Sequence, residues 1–568
     1  MHLQDNITQN RYLRYYTDVK LQTRQEMVAG MTKQNRWYGW FLLLVLAACN
    51  LAVANPIGQV PASTPTPNLP NVRIVQAVPS LAPTSTRIVR DMPTQMTAEA
   101  TPAVQTIAVT PVPYACDVPQ PRYPARYQVV ANVDYANKLA TVAQTARYYH
   151  TEATPLQDLV LNVEANNWQG GFQLGQLRLE NVDLPHTLER NRLTITLPAP
   201  LPQGCEVGLQ MTFSVTPPRI TSGITAFKGY FGYSERQLNL SYWLPSVAVR
   251  VGGAWLVHPP QTIGEQIVLE QADWDVSLNV TNASGDLKIA MPGVITARGQ
   301  NQYQSRLEGG RDFPVSMSEN YRVSRSTTVN GTQVELYTFP DTLRPTPNGT
   351  QDAAPHALDV AVKSAERYEK LFGKPPFDRL LVVQGDFPDG MEFSGLVYVS
   401  TSWFYQWQGG YDNYLTVITV HEMSHQWWYA QVGNDAALAP WLDEALATYS
   451  EYLYYESAHP NLKDWWWSFR VGYYNPQGAV DSTVYEFSSP RDYINAVYLR
   501  GVQMLHNLRK DVGDDAFFKL LADYAKEGNG VVASPALFWS LLTPEQLALT
   551  QRTREQFLRQ PDVNQEGD

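Results

Sequence analysis

Cysteine is scarce in this sequence, with three residues in a chain of 568. Cys49 follows an apolar segment near the N-terminus, which leaves Cys116 and Cys205. We expect neither of these two to be a nucleophile or a metal ligand. An even number of cysteines in an exported chain favours a disulfide, and a pair of free buried thiols is the alternative. Cys205 has the same alternation as the apolar residues from Val207 to Val215, so it should face the interior.

Positive charge is also in short supply, because 43 Lys and Arg stand against 54 Asp and Glu, for a formal net charge of -11. Binding to nucleic acid requires a basic face, so this composition argues against a nucleic acid partner. The acidity by itself is ordinary for solubility and indicates no cationic substrate. The length, together with a hydrophobic content of 44%, is enough for large cores in more than one domain.

Long hydrophobic runs are missing, and the best candidate, Trp37 to Ala48, is too short for a comfortable transmembrane helix. It follows basic residues and ends at Cys49, which is typical of a bacterial lipoprotein signal whose cysteine becomes lipidated. Ordinary cleavage after Ala54 and an uncut membrane anchor are two alternatives. All three predict export, either to the outer face of the bacterial cell membrane or as a secreted protein. Membrane contact would run through a lipid on Cys49 or through the anchor.

Composition and periodicity divide the chain into four segments. Residues 1–49 are predicted to be an N-terminal extension with the signal, and residues 50–115, rich in Pro and Thr, a disordered tether. Residues 116–326 alternate with period two between frequent turns, which predicts an antiparallel β domain of sandwich or saddle type. Residues 327–568 mix short strands with amphipathic helices, which predicts an α+β catalytic unit. We find no internal repeat.

The most informative pattern is the pentapeptide that runs from His421 to His425. Residues four apart lie on the same face of a helix, so both imidazoles can bind one metal ion. Glu422 stands beside them as a candidate general base. The surrounding residues are apolar, as a buried helix requires. A chance match in a buried helix is the alternative, and it is improbable in a chain of this length.

A third ligand must come from outside this helix, and Glu444 suits that role. A turn at Gly433 and Pro440 break the chain, and an apolar helix from about Trp441 to Glu456 can then return antiparallel to the first. Two histidines and one carboxylate leave a fourth position open to water, which is typical of a catalytic zinc site. The sequence therefore predicts one Zn²⁺ ion.

Three features together resemble the aminopeptidase N family of gluzincin metallopeptidases. They are the spacing from His425 to Glu444, the segment Gly390-Met391-Glu392, and the segment Tyr498-Leu499-Arg500-Gly501. The resemblance extends from about Cys116 to at least Ala525. It implies a β saddle domain followed by a thermolysin-like mixed α/β catalytic domain. It also implies a short form, since little sequence follows Ala525 and the family has a large helical C-terminal domain.

The resemblance also implies roles for residues outside the metal-binding helices. Tyr498 corresponds to the family's oxyanion-stabilising tyrosine, with Arg500 in place of the motif's lysine, and Tyr493 is the reserve candidate. Glu392 corresponds to the glutamate that binds the free α-amino group of the substrate, next to Gly390 and Met391.

The sequence departs from the family pattern beside these residues. Phe393 stands where the family has asparagine, and Asp443 and Ala445 flank Glu444 where the family has asparagine and glycine. These changes leave metal binding intact and bear on substrate preference.

We therefore expect a zinc aminopeptidase that hydrolyses peptide substrates. Two alternatives stay open. A zinc endopeptidase or amidase acting on another exported amide would keep the zinc and Glu422 but would not use Glu392. A non-catalytic binding scaffold of the same fold would need neither. The sequence does not predict an oligomeric state.

Overall fold

The computed structural model describes residues 114–221, 223 and 227–563. The expected signal segment, Cys49 and nearly all of the expected tether lie outside these residues. These described residues belong to one compact unit. Within the described part of the chain, no helix combines the length and the apolar character needed to cross a membrane.

The chain from Tyr114 to Ser318 is built mainly of strands, as the period-two alternation predicts. In the first long strand every second side chain is buried, among them Val129, Ala131 and Val133. The strands are β1 Ala125–Asp134, β2 Leu139–Tyr149, β3 Leu156–Asn162, β4 Phe172–Leu179, β5 Val182–Asp183, β6 His186–Glu189, β7 Arg192–Leu201, β8 Glu206–Val215, β9 Phe231–Tyr233, β10 Leu238–Leu240, β11 Ser246–Val247, β12 Val249–Val251, β13 Ala254–Leu256, β14 Ala272–Thr281, β15 Lys288–Ala290, β16 Val294–Gly299, β17 Gln302–Gly310 and β18 Val315–Ser318.

An eight-stranded sheet dominates this region, with the order β16-β17-β14-β1-β2-β8-β4-β5. Two four-stranded sheets, β15-β18-β10-β9 and β11-β3-β7-β6, accompany it. The pairing within the large sheet is antiparallel except between β1 and β14, which run parallel over their full lengths. The prediction of an antiparallel domain thus holds for this sheet except at that pair of strands.

A disulfide joins Cys116 to Cys205, which confirms the predicted pairing. Cys205 is buried, as its position in the alternation requires. Next to the disulfide, Ala115 and Glu206 exchange backbone hydrogen bonds of 3.2 and 2.9 Å. The covalent bond therefore fixes the first described residues against the start of β8.

The chain from Arg322 onward combines one mixed sheet with many helices. Its strands are β19 Arg322–Thr327, β20 Gln333–Thr338, β21 Leu343–Thr346, β22 Gly349–Asp352, β23 Arg379–Gly385, β24 Gly390–Phe393, β25 Leu396–Ser400, β26 Gly433–Asn434 and β27 Val532–Ala533. Its α-helices are α1 Ala353–Phe372, α2 Thr401–Gln406, α3 Tyr414–Ser424, α4 Trp441–Ala458, α5 Lys463–Trp466, α6 Pro490–Tyr493, α7 Arg500–Val512, α8 Asp514–Glu527, α9 Pro535–Ser540, α10 Pro544–Leu549 and α11 Gln551–Phe557.

The main sheet of this region has the order β19-β20-β23-β25-β24, so β24 is an edge strand. A β-rich region followed by a mixed α/β region is the predicted fold class, which is confirmed. The predicted division after Ser326 would cut through β19, which pairs with β20 from Arg322 to Thr327. The change of architecture therefore lies before Arg322.

The apolar period of the sequence predicts a helix from Leu358 to Phe372, stopped by Gly373, but α1 begins five residues earlier, at Ala353. The cause is a cap, because the Asp352 carboxylate accepts a hydrogen bond from the backbone N–H of Ala354 at 3.0 Å. The helix ends where predicted, at Gly373, whose φ of 92° is accessible to glycine at little cost. The apolar face of α1 packs against α3, and so supports the helix that carries the metal-binding pattern.

The sheet contains a buried ion-pair network that predicts a loss of stability in acid. Burial alone would raise the pKa of Glu335, but hydrogen bonds and charge from Arg379 and Arg325, at 2.7 and 3.0 Å, lower that pKa to about 2. In an unfolded chain the pKa of a glutamate is about 4.3. Ionised Glu335 therefore stabilises the fold above this value, and the contribution is lost as the pH falls towards 2.

We expect the free energy of unfolding to drop by about 2 kcal/mol between pH 5 and pH 2 through this residue. Urea denaturation at a series of pH values measures the drop, and Glu335→Gln should make the curve flatter over that interval. Equal slopes for the two proteins would contradict the assignment.

Candidate metal centre

Two helices bring the predicted ligands together. His421 lies in the last turn of α3, His425 directly follows that helix, and Glu444 lies in the first turn of α4. Each offers one ligand atom, and these atoms lie within 4.8 Å of one another. All three side chains are buried, with at most 5% of each residue exposed. A single cation between them could therefore contact all three.

Both histidines are oriented by hydrogen bonds on the ring nitrogen that faces away from Glu444. His421 Nδ1 lies 2.9 Å from Glu451 Oε1, and His425 Nδ1 lies 2.9 Å from the carbonyl oxygen of Trp428. Such acceptors fix the tautomer and leave Nε2 free for a metal. The two Nε2 atoms lie 3.2 and 3.7 Å from Glu444 Oε2.

The donor set fits a divalent cation. His425 Nε2 and Glu422 Oε2 are buried without a hydrogen-bond partner, which is costly unless something else interacts with them. Burial raises the pKa of Glu422 to about 8, and it raises the pKa of Glu392 well above the usual range. A bound cation would relieve this accumulation of buried acids. Imidazole nitrogens with a carboxylate are ligands that Zn²⁺ accepts.

Glu422 is positioned by the edge strand. Gly390 packs directly against it, and a Cβ atom built on Gly390 would overlap Oε1 and Cδ of the Glu422 carboxylate. Only glycine can stand there without displacing the carboxylate. The Glu422 side chain is therefore confined between β24 and the two histidines of α3.

Glu451 supports the centre from behind His421. It lies seven residues after Glu444 in α4, which places both carboxylates on the same face of the helix. Arg470 donates to both oxygens of Glu451 at 3.0 Å, and Trp466 Nε1 donates to Oε2 at 3.0 Å. All the members are buried, so the Glu451 carboxylate is held in one position.

We predict that Glu451→Gln weakens zinc binding by about 10- to 100-fold. The amide keeps the shape of the carboxylate but loses the charge that stabilises a metal-bound imidazole. Competition titration with a zinc chelator measures the dissociation constant directly. Glu456→Gln is a matched control, since Glu456 is in the same helix and pairs with Arg509 at 3.0 Å instead. Equal affinities in the two variants would contradict the role of Glu451.

A further carboxylate, which the sequence did not reveal, reaches this centre from the β-rich region. Oxygens of Glu265, Glu392 and Glu444 lie within 4.8 Å of one another. Glu265 lies in a turn locked by Gln266, whose amide donates to the carbonyl of Ile263 at 2.9 Å. Burial, and then the nearby Glu444, raises the pKa of Glu265 to about 7. The cluster of Glu265 and Glu392 is suited to a small cationic group.

The two tyrosine candidates occupy different positions. The ring of Tyr498 lies parallel to that of His421, with 5.9 Å between ring centroids, and its hydroxyl interacts with Glu444 by a hydrogen bond. The ring of Tyr493 packs edge-on against Tyr498. Its hydroxyl lies 3.1 Å from a Cβ atom built on Gly264. Tyr498 is thus adjacent to the metal ligands, whereas Tyr493 supports the turn that carries Glu265.

The residues that depart from the family pattern have identifiable packing roles. Phe393 is buried against the rings of Tyr230 and Tyr242, at 5.6 and 4.9 Å between centroids. The guanidinium of Arg500 lies 4.2 Å from the centroid of the Phe557 ring, directed towards the C-terminal helices.

Comparisons with known proteins bear on the same part of the chain. Residues 356–556 match the Peptidase family M1 domain. Aminopeptidase M1-B of Oryza sativa subsp. japonica is 28% identical over 233 residues, which are 38% of this chain and 26% of that protein. Aminopeptidase N of Lactococcus lactis subsp. lactis is 27% identical over 220 residues, 35% of this chain and 24% of that protein. The chain thus spans about a quarter of the length of these relatives.

Solved structures share the fold over a larger part of the chain. The M1 zinc metallopeptidase from Deinococcus radiodurans superposes with a TM-score of 0.55 at 17% identity. The match covers 78% of this chain and 96% of that chain. A mutant of that metallopeptidase, bound to a Tyr-Ser-Ala substrate, gives a TM-score of 0.54 at 18% identity, and the match covers 77% of this chain and 94% of that chain.

Proposed function

We propose that this chain is an aminopeptidase N-like zinc metallopeptidase that removes N-terminal residues from peptides, on the basis of its match to the Peptidase family M1 domain over residues 356–556. The observation that carries this proposal is the pair of carboxylates formed by buried Glu392 and half-buried Glu265, beside the candidate metal ligand Glu444. A free α-amino group is a small cation, and these two carboxylates would bind it next to the scissile bond.

One Zn²⁺ ion would be held by His421, His425 and Glu444. When bound, zinc supplies a Lewis acid that polarises the scissile carbonyl and makes a water molecule nucleophilic near neutral pH. Glu451 would keep His421 in the tautomer that leaves Nε2 available.

Glu422 would act as the general base. Its Oε2 atom is buried and has no hydrogen-bond partner, so it is available to accept a proton from water. A pKa raised to about 8 by burial makes it a stronger base than an exposed glutamate, although a bound cation would oppose this shift. The same carboxyl group, once protonated, would deliver the proton to the leaving amine.

Tyr498 would donate a hydrogen bond to the oxyanion that develops on the attacked carbonyl. Its ring stacks on His421, so its hydroxyl approaches the centre beside the ligands. Burial raises its pKa well above the usual value of tyrosine. The hydroxyl therefore keeps its proton and remains a donor at physiological pH.

The requirement for a free N-terminus follows from the charges. An acetylated substrate would leave the buried Glu392 and its neighbour Glu265 facing a neutral group that cannot satisfy two carboxylates, at a cost of several kcal/mol. A substrate bound by its α-amino group has only its first peptide bond beside Glu422. The enzyme would therefore cut one residue at a time.

Peptides that differ only in a free or acetylated N-terminus test this proposal. We expect the zinc-loaded full-length protein to cut only the free peptide, releasing single residues that mass spectrometry identifies. Glu392→Gln should raise KM for the free peptide more than it lowers kcat. Equal internal cutting of both peptides would instead indicate an endopeptidase. No cutting by protein of verified zinc content would indicate a binding scaffold.

We also propose that the enzyme is exported and anchored to the outer face of a bacterial membrane by a lipid on Cys49. The disulfide between Cys116 and Cys205 supports export, because such bonds persist in oxidising compartments. Incorporation of labelled palmitate, abolished by Cys49→Ser, tests the lipid. Secretion without label would favour ordinary cleavage, and membrane retention without label would favour an uncut anchor.

A further inference from the structure

Three residues follow one another along the edge strand β24 and the residue before it: Glu392, Gly390 and Asp389. Glu392 lies in this strand, beside Glu265 and Glu444. Two residues earlier, Gly390 packs against Glu422. One residue earlier again stands Asp389, whose carbonyl oxygen accepts from Ser400 N–H at 2.8 Å and so continues the pairing of β24 with β25. At about 3.3 Å per residue, Asp389 is roughly 10 Å from Glu392.

Electrostatic neighbours agree with this order. Glu392 interacts mainly with His425, and then with Asp443 and Glu265. Asp389 interacts with Arg470 and His421, and with Glu444, which also acts on Glu392. Gly390, which packs against Glu422, thus separates the two carboxylates along the chain.

Asp389 is held in an unusual backbone conformation. Its φ is 68°, a left-handed value that glycine, asparagine and aspartate adopt most readily. Unlike the buried residues that follow Gly390, Asp389 is exposed. The preceding turn is anchored by Asp386, whose carboxylate accepts from Arg236 at 2.7 and 2.8 Å and from Thr401 at 2.9 Å. Asp389 is therefore a fixed and accessible charge.

Arg470 is the cation that interacts most strongly with Asp389. However, Arg470 is already paired with another carboxylate. Its guanidinium makes two hydrogen bonds of 3.0 Å to Glu451. Arg470 is therefore not available as an ion-pair partner for Asp389.

A peptide with its amino group at Glu392 and its first peptide bond at Glu422 would lay its second residue beside Asp389. We propose that Asp389 forms the subsite for this second residue, the first of the leaving fragment, and selects lysine or arginine there. This subsite rests on the proposed aminopeptidase function. An ion pair at an exposed site is worth at most about 1 kcal/mol, which corresponds to a preference of about fivefold.

Peptides that share their first residue and carry Lys, Gln or Glu in second place test the subsite. The full-length zinc enzyme should give a kcat/KM about fivefold higher for Lys than for Gln, and lowest for Glu. In Asp389→Asn the ratio of Lys to Gln should fall to about one. Asparagine has nearly the same shape and tolerates the left-handed backbone. Asp389→Gly, which also suits that backbone, should give the same ratio and so separates charge from shape.

Glu180→Gln is a matched control. Glu180 is an exposed acid with a φ of 54° in the β-rich region, so its replacement removes one charge from a similar backbone position outside the cleft. It should keep the wild-type ratio, and that ratio should shrink at high ionic strength. Cleavage with the same ratio in wild type and Asp389→Asn would overturn the subsite alone. No cleavage of any peptide by the wild-type enzyme would overturn the proposed function and the subsite with it.

Discussion

Replacing Glu422 by glutamine is expected to lower kcat about a thousandfold without loss of zinc. Glutamine keeps the size of the side chain but cannot accept a proton from water. Glu422 is not one of the three side chains that would hold the ion, and its Oε2 atom has no other partner. The substitution therefore removes one chemical function and leaves the ligands untouched.

Two measurements separate this role from a structural one. Metal analysis should find the same zinc content in Glu422→Gln as in the wild type, and single-turnover kinetics should place the loss in the chemical step. Glu456→Gln provides the comparison for loss of a carboxylate at a site remote from the centre. A decrease in kcat of less than tenfold in Glu422→Gln would mean that another group takes the proton.

That His421, His425 and Glu444 lie close together could be predicted from the sequence because their geometry is local. His421 and His425 are one helical turn apart, and Glu444 lies on the next long helix after a short connection. Glu451 was missed but could have been found by the same argument, since it follows Glu444 by two turns. Helical periodicity therefore carries nearly all the information on this part of the centre.

Glu265 could not be predicted in this way. It lies in an irregular turn of the β-rich region, held by Gln266, and no periodicity marks it. Its approach to Glu392 depends on how the two regions pack, which is a tertiary property. Asp389 directly precedes Gly390 in the sequence, but its significance depends on the backbone angle and the exposure that the structure provides.

The fold shows the same division between local and tertiary information. Alternating burial predicts strands such as β1 and β14, yet the alternation is identical for parallel and antiparallel neighbours. The parallel pairing of these two strands therefore could not be predicted from the alternation. Helix α1 starts earlier than the hydrophobic period indicates because Asp352 caps its N-terminus. A capping residue is polar, so the hydrophobic period alone does not reveal it.

Gly390→Ala should lower kcat about a hundredfold, although it removes no catalytic group. The added methyl carbon would overlap Oε1 and Cδ of Glu422 and would stand 2.7 Å from Cγ. Every one of these contacts is far too short, so the Glu422 side chain must move away from its position. Gly390 does not have a left-handed φ, so alanine causes no backbone strain there. Thermal denaturation should accordingly change much less than activity.

A double variant, Gly390→Ala with Glu422→Gln, tests whether the loss of activity in Gly390→Ala is caused by displacement of Glu422. If alanine at position 390 acts only by displacing the catalytic carboxylate, it should cost little further activity in the Glu422→Gln background, because the displaced group no longer accepts a proton. The two effects would then be strongly non-additive, as expected for groups in direct contact. A further hundredfold loss in the double variant would mean that Gly390 instead positions the substrate along β24. In that case selectivity for the second residue, which we assign to Asp389, should change as well.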